Sequence, residues 1–118
     1  MTVESDIFDT LKGLVSNRVY PDSAPNGVTT PYITYTQIGG EAVSFVEGSV
    51  PDRKNGLFQI NVWAATRAGA SALMLQVEAA LMTTNRFAVE VQRAPINEYE
   101  PDMVMYGAHQ DFSIWSVR

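Results

Sequence analysis

His109 is the residue around which catalysis would have to be built, because it is the only histidine in the chain. A histidine-based triad would therefore centre on it, with Asp111 close by in sequence as the orienting carboxylate. Ser113 and Ser116 follow, but neither lies in the G-x-S-x-G turn that presents a catalytic serine. The pattern favours a solvent-facing histidine with no special role over a catalytic one.

Metal and cofactor chemistry finds little support either. Glu98, Glu100 and Asp102 alternate with other residues and could hold calcium weakly, but they lack the glycine-centred loop of an EF-hand. The absence of cysteine excludes disulfides, zinc–thiolate sites and thiol catalysis. Gly39 and Gly40 lack the further glycines and lysine of a phosphate-binding loop. The sequence predicts no catalytic, cofactor or metal site, and so a protein that works by its shape.

Composition limits the classes of protein further. The chain has 118 residues, 46% of them apolar and 18% charged, which predicts one globular domain spanning residues 1–118. The formal net charge of −5 argues against a surface that binds nucleic acid by neutralising phosphates. Residues 94–117 contain four acidic residues and no Lys or Arg, which indicates a solvated loop or, alternatively, an edge that faces a partner. We expect neither a signal peptide nor a membrane span.

Hydrophobic spacing predicts two helices. Apolar residues recur at spacings of three and four from Ile7 to Val15, which predicts a helix over residues 4–16. Thr66 is a suitable N-cap for a second helix over residues 67–83, with an apolar stripe that includes Leu73 and Val77. Residues 20–31 contain three prolines and are predicted to form a rigid linker with a turn.

Alternating apolar and polar residues predict five strands. They cover residues 32–38, 41–46, 58–64, 87–91 and 106–117, with exposed loops over residues 47–56 and around Pro95 and Pro101. The fold class is therefore α+β: an antiparallel sheet with two helices on one face, in the order α-β-β-β-α-β-β. Phe58 and Phe112 are expected in the core, whereas Trp63 stands on a polar strand face and needs a helix or a neighbouring chain beside it.

Five segments, several of them rich in aromatic residues, follow one another along the chain in a distinctive order. They are Arg18-Val19-Tyr20-Pro21, Pro31-Tyr32-Ile33-Thr34-Tyr35, Ile38-Gly39-Gly40-Glu41, Phe58-Gln59-Ile60-Asn61-Val62-Trp63-Ala64 and Asp111-Phe112-Ser113-Ile114-Trp115. In this order and spacing, over almost its whole length, the chain resembles the small tail-completion or tail-terminator proteins of tailed phages and prophages. Family members often carry arginines shortly after the tyrosine that matches Tyr106, where this chain has Gly107, Ala108 and His109.

The resemblance implies a structural virion protein and no enzyme. Such a protein forms a homo-oligomeric ring, commonly a hexamer, that caps the finished tail tube and offers a surface for joining the head. The implied partners are further copies of the chain, the tail-tube protein and head–tail connector proteins, with DNA passing through without specific binding. The implied location is the end of the tail in the virion, and the host cytoplasm during assembly.

Ring assembly joins one edge of a subunit to a different edge of the next, so we expect contacts at exposed aromatic and charged residues. The predicted interface residues are Tyr20, Arg53, Lys54, Trp63, Glu98, Glu100 and Trp115. Met103 and Met105 fit either an adaptable binding surface or the start of a core strand. The alternatives are a head-closure or minor tail protein of the same particle and, from a different class, a small ligand-binding domain or an unrecognised hydrolase.

Overall fold

The computed structural model describes residues 2–118, which contain two α-helices and six strands. In chain order these are α1 (Val3–Leu11), β1 (Val19–Pro21), β2 (Tyr32–Gly39), β3 (Arg53–Ala64), α2 (Arg67–Thr83), β4 (Ala88–Val91), β5 (Ile96–Glu100) and β6 (Met105–Val117). A 3₁₀ turn, Lys12–Leu14, extends α1.

The helices begin at side-chain caps. The Thr66 hydroxyl accepts a hydrogen bond from the backbone N–H of Gly69 at 3.0 Å, so the predicted cap and the predicted helix over residues 67–83 are both confirmed. The Thr2 hydroxyl caps α1 in the same way. α1 is shorter than predicted, because its last turns tighten into the 3₁₀ turn and Ser16 and Asn17 then take positive φ angles.

The strands form one sheet in the order β1-β2-β3-β6-β4. β5 pairs with β6 beside β4, on the edge of β6 that β3 leaves free. Every pair is antiparallel except β1 with β2, which are parallel. The helices cover one face, so the predicted α+β fold is confirmed, and its sheet gains one parallel edge strand.

Several of the predicted strand and loop assignments were wrong. Residues 41–46 are not a strand but part of a long loop, and β2 pairs instead with β3, which begins at Arg53 inside the predicted loop over residues 47–56. Residues 19–21 form edge strand β1, although the last two of them were predicted to belong to the linker over residues 20–31. Residues 96–100, predicted as a loop, form edge strand β5. Both missed strands are short and lie next to prolines, whose missing N–H confines proline to the edges of sheets.

The core lies between the helices and the face of the sheet that they cover. Its largest fully buried side chains include Ile7 and Leu11 of α1, Met74 and Leu81 of α2, Phe58 and Ile60 of β3, and Phe112 and Ile114 of β6. This confirms that Phe58 and Phe112 are core residues. The buried amide of Gln110 donates hydrogen bonds to Glu78 Oε1 at 2.7 Å and to the carbonyl of Arg93 at 2.8 Å.

The molecule is elongated, measuring 53 × 26 × 23 Å. Its central strands are long, with 12 residues in β3 and 13 in β6. The loop between β2 and β3 exposes three large apolar side chains, Phe45, Val46 and Val50. The length of β3 and β6 separates the two ends of the sheet, which therefore present different surfaces.

Candidate interaction surface

The face of the sheet opposite the helices carries most of the polar side chains of the central strands. Because side chains alternate along a strand, the register places them in rows across β2, β3 and β6. We call this side the open face. Its rows are Tyr32–Trp63–Gly107, Thr34–Asn61–His109 and Thr36–Gln59–Asp111, continued on β3 and β6 by Leu57–Ser113, Asn55–Trp115 and Arg53–Val117.

Trp63 is half-buried on the open face. A methyl group at Gly107 would lie 2.7 Å from Trp63 Cε3 and 2.8 Å from Cζ3, so the indole lies directly over this glycine. Sequence alone suggested that a helix or a neighbouring chain had to cover Trp63. Its own sheet covers one part of the ring instead, because position 107 has no side chain, and the other part stays accessible.

The indole forms one wall of a cleft of about 680 Å³ at this end of the open face. Tyr32 and Met105 complete the apolar wall, and the Tyr32 hydroxyl lies 3.9 Å from Met105 Sδ. Burial raises the pKa of Tyr32, which keeps its phenol neutral. Thr34 and Asn61 contribute polar groups, and the segment of residues 22–28 after β1 forms the opposite side. We call this the Trp63 cleft.

The charges of the Trp63 cleft have one sign. Asp22 and Glu100 are the acidic residues that line it, and none of its lining residues is basic. Glu100 Oε1 accepts a hydrogen bond from the backbone N–H of Asp102. Within residues 2–118, neither carboxylate takes part in an ion pair. The cleft therefore combines aromatic rings with carboxylates that have no cation beside them.

Arg67 fixes this end of the sheet. Its guanidinium donates hydrogen bonds to the backbone carbonyls of Glu98 and Gly107, at 2.6 and 2.8 Å, and so ties β5 to β6. The same group lies 5.5 Å from the ring centre of Tyr106, at cation–π distance. The first residue of α2 thereby holds the ends of β5 and β6 that carry Glu100 and Gly107, the glycine against which Trp63 packs.

Two pairs of ionisable side chains lie near the cleft. His109 Nδ1 is 3.1 Å from Glu98 Oε2, and Arg93 binds Asp111 at 2.9 Å. His109 was expected to face solvent but is half-buried, with its side chain 21% exposed. Asp111 was predicted to belong to a solvated acidic stretch and is instead 3% exposed, with the Arg93 guanidinium bound to its carboxylate.

The side chains considered for catalysis have other partners. The Ser113 hydroxyl accepts a hydrogen bond from Asn55 at 2.8 Å, Asp111 pairs with Arg93, and His109 lies against Glu98. Among residues 2–118, no three His, Asp or Glu side chains form a group that could hold a metal ion. In the same part of the chain, no helix is long and apolar enough to cross a membrane.

The predicted interface residues are spread over the sheet. The register places the side chains of Tyr20, Arg53, Trp63, Glu98, Glu100 and Trp115 on the open face. Trp63 and Glu100 meet in the Trp63 cleft. Lys54 instead pairs with Ser116 and lies on the helix-covered side, where it lines a small hollow with Val3.

Sequence analysis missed other parts of the cleft. Tyr32 and Thr34 were assigned to a strand without a role, and Asp22 was taken as linker. The one available signal was the pair Met103 and Met105, which fitted a binding surface or the core equally. Met103 is 61% exposed and Met105 is half-buried, and both line the cleft.

Comparison with known proteins agrees with this architecture. The model of the family described as tail completion protein gp17 matches residues 8–116. The structure of the bacteriophage SPP1 gp17 protein is similar to this chain, with a TM-score of 0.56 and 15% identity, covering 98% of this chain and 88% of that one. A second solved structure gives a TM-score of 0.51 at 17% identity, covering 98% and 90%.

No curated protein matches the chain significantly. At 15% and 17% identity, the two solved structures establish likeness of fold. The family model rests on the sequence itself and covers nearly all of the domain. The chain therefore belongs to the tail completion protein gp17 family.

Proposed function

We propose that this protein is a structural component of a phage tail, which caps the end of the tail tube as a ring of identical subunits and provides the surface that joins the head. The observation that carries the proposal is the family match over residues 8–116. The name of that family places its members at the completion of the tail. The proposed location is accordingly the tail end of the virion.

The edges of the sheet support assembly into a ring. A ring requires a heterologous contact, in which one surface of a subunit binds a different surface of the next. On one side of the sheet, β1 pairs only with residues 33–35 of β2, which leaves the rest of that strand as an edge. On the other side, β4 and β5 form the edge within residues 2–118. The two edges differ in length, direction and charge.

Charge distinguishes opposite corners of the sheet. Arg53 and Lys54 lie where β3 extends past the end of β2, beside the last residues of β6. Glu98 and Glu100 lie on β5, which pairs with the first residues of β6. Since β6 runs the length of the sheet, the basic pair and the acidic pair occupy diagonally opposite corners. Complementary corners favour head-to-tail association of identical subunits.

The further partners follow from the same role. We propose that the ring contacts the tail-tube protein on one side and head–tail connector proteins on the other, through the predicted interface residues of the open face and its edges. The net charge of −5 supports a conduit that DNA traverses without specific binding, because like charges repel. The proposed role needs neither catalysis nor a cofactor.

Disruption of the gene in its source phage or prophage tests this function. Loss of a tail-capping ring should leave heads and tails unjoined, with tubes of irregular length in electron micrographs. Loss of a head-closure protein should instead leave tails of normal length beside heads that have lost their DNA. Full-length tails joined to filled heads would show that the protein has no role at this junction.

A complementary measurement uses the purified protein with tubes of its own tail-tube protein. Native mass spectrometry and negative-stain microscopy should show rings, free or bound to tube ends. Binding along the sides of the tubes, or no binding at all, would contradict a capping role.

A further inference from the structure

We propose that the Trp63 cleft is the site into which one copy of the chain inserts Arg53 of the next copy. The inference rests on the proposed function for the presence of a second copy, and it specifies which two surfaces meet. It commits to a contact between identical chains, with the guanidinium of Arg53 as the inserted group.

The cleft has the chemistry that a guanidinium requires. Trp63 and Tyr32 contribute aromatic rings, and a planar cation binds beside aromatic rings more favourably than beside aliphatic walls. Asp22 and Glu100 offer carboxylates that no cation neutralises within residues 2–118.

Thr34 adds a hydroxyl group to the wall of the cleft. Its side chain lines the cleft, its residue is only 5% exposed, and its hydroxyl makes no hydrogen bond to another described residue. The hydroxyl can therefore accept a hydrogen bond from a donor that enters the cleft. A guanidinium has five N–H donors, enough for a hydroxyl and two carboxylates together.

Arg53 is the cation best placed to enter such a site. It is exposed, and in the part of the chain that the structure describes it forms no ion pair. Lys54 follows it in sequence and adds a second positive charge to this corner, at the edge of the sheet. The other arginine close to the cleft end, Arg67, is already bound to two carbonyls.

Arg53 cannot reach the cleft of its own chain. Arg53 and Trp63 are the first residue and the penultimate residue of β3, and ten residues of extended strand span about 33 Å. The cation and its receptor site therefore lie at opposite ends of the same rigid strand. Such a pair forms only between copies, and it forms a heterologous contact in which each subunit gives one Arg53 and receives another.

Cysteine cross-linking tests this contact even where association is weak, and the chain has no native cysteine to interfere. Asp52→Cys places a thiol beside Arg53, and Met103→Cys places one at the rim of the cleft, without removing any of the proposed binding groups. The two variants are mixed in equal amounts, oxidised, and separated by mass. The control mixture pairs Asp52→Cys with Ser5→Cys, a thiol exposed on α1.

The first mixture should give mainly heterodimers, and the control should give homodimers and heterodimers in statistical proportion. Adding Arg53→Glu and Lys54→Glu to the Asp52→Cys variant should slow heterodimer formation about tenfold, as expected when a partly desolvated cation–π and ion-pair contact is lost. Adding Asp22→Lys and Glu100→Lys to the Met103→Cys variant should then restore the rate. Statistical products in the first mixture, or insensitivity to both charge reversals, would overturn the proposal.

This result is separable from the proposed function. Rings whose formation is unaffected by the charge reversals would leave the capping role intact and refute the Arg53 contact. Conversely, a charge-dependent cross-link in a protein whose loss leaves head–tail joining unaffected would support the contact and refute the capping role.

Discussion

Gly107→Ala disturbs the contact between Trp63 and Gly107 by adding a single methyl group. The added Cβ would stand 2.7 Å from Trp63 Cε3, 2.8 Å from Trp63 Cζ3 and 2.9 Å from the carbonyl oxygen of Val62. Distances below 3.0 Å between such atoms require something to move. The indole can rotate away, but the carbonyl belongs to the backbone of central strand β3 and has little freedom. We therefore expect both a displaced tryptophan and a strained sheet.

The expected loss of unfolding free energy in Gly107→Ala follows from comparison with overpacked cores, where an extra methylene costs about 1–3 kcal/mol. Two of the three close contacts involve the indole, so most of this cost should disappear when the indole is removed. In a Trp63→Ala background we expect Gly107→Ala to cost less than about 1 kcal/mol, from the Val62 carbonyl alone. Gly13→Ala is the matched control, because a Cβ there meets nothing within 4 Å.

Urea unfolding followed by circular dichroism gives the four free energies of this double-mutant cycle. The fluorescence of Trp63, isolated in a Trp115→Phe background, reports displacement of the ring in the folded state. Gly13→Ala should leave stability unchanged or raise it slightly, since alanine restricts the unfolded chain more than glycine. An equal cost of Gly107→Ala with and without the indole would refute the reasoning, as would unchanged stability and fluorescence.

Three further predictions concern the fold. Phe112→Ala should lower the unfolding free energy by about 3–5 kcal/mol because the ring is fully buried, whereas Phe45→Ala in the exposed loop should change it by less than about 0.5 kcal/mol; urea titration of both variants measures the difference. Thr66→Ala removes the hydroxyl that accepts from Gly69 and should cost about 1 kcal/mol by the same assay, while Thr66→Asn should retain most of the stability. Burial, followed by the Glu4 and Asp22 carboxylates, raises the pKa of Tyr35 above 10.0 in the folded state. The neutral phenol therefore stabilises the folded state below pH 10.0, and this contribution to the unfolding free energy is lost as the pH rises through the folded-state pKa. Tyr35→Phe should therefore lose less stability than the unaltered protein between about pH 8 and pH 11 in urea titrations, and an equal loss in both would contradict this linkage.

The elements with strong periodicity were predictable from sequence. α2 has an N-cap and a regular apolar stripe, and residues 58–64 of β3 alternate without interruption, so α2 and this later part of β3 were placed correctly. Phe58 and Phe112 could be assigned to the core because each shares a strand face with other apolar residues. In these segments, local conformational preference and tertiary packing require the same residue pattern, and this pattern therefore predicts the element correctly.

The edge strands were not predictable in this way. β1 has three residues and ends in Pro21, and β5 lies between Pro95 and Pro101 and has no fully buried side chain. Such segments look like loops because neither face supplies an apolar pattern of useful length. What makes them strands is hydrogen bonding to the longer strands β2 and β6, which pair with β3 on their other sides.

The Trp63 cleft could not be predicted from the sequence, for a related reason. Its walls come from β2, β3 and β6, and its rim from the segment after β1 and the end of β5. These segments are spread from residue 22 to residue 105, so their side chains form no compact motif. Trp63 itself could be identified, because an indole on a polar strand face is unusual. Its contact with Gly107 could not, because that contact depends on the register of β3 with β6.

The two faces of the sheet separate folding from assembly. The helix-covered face carries the large buried side chains, whereas the charged and aromatic residues proposed to meet a neighbour lie on the open face. Short edge strands limit unselective pairing with other sheets, because they offer few free backbone groups. In the contact that we propose, selection of a partner depends on Arg53 and on the acidic rim of the cleft. Because these groups lie at opposite ends of the sheet, a single chain cannot bring them together, and the proposed contact therefore requires a second copy.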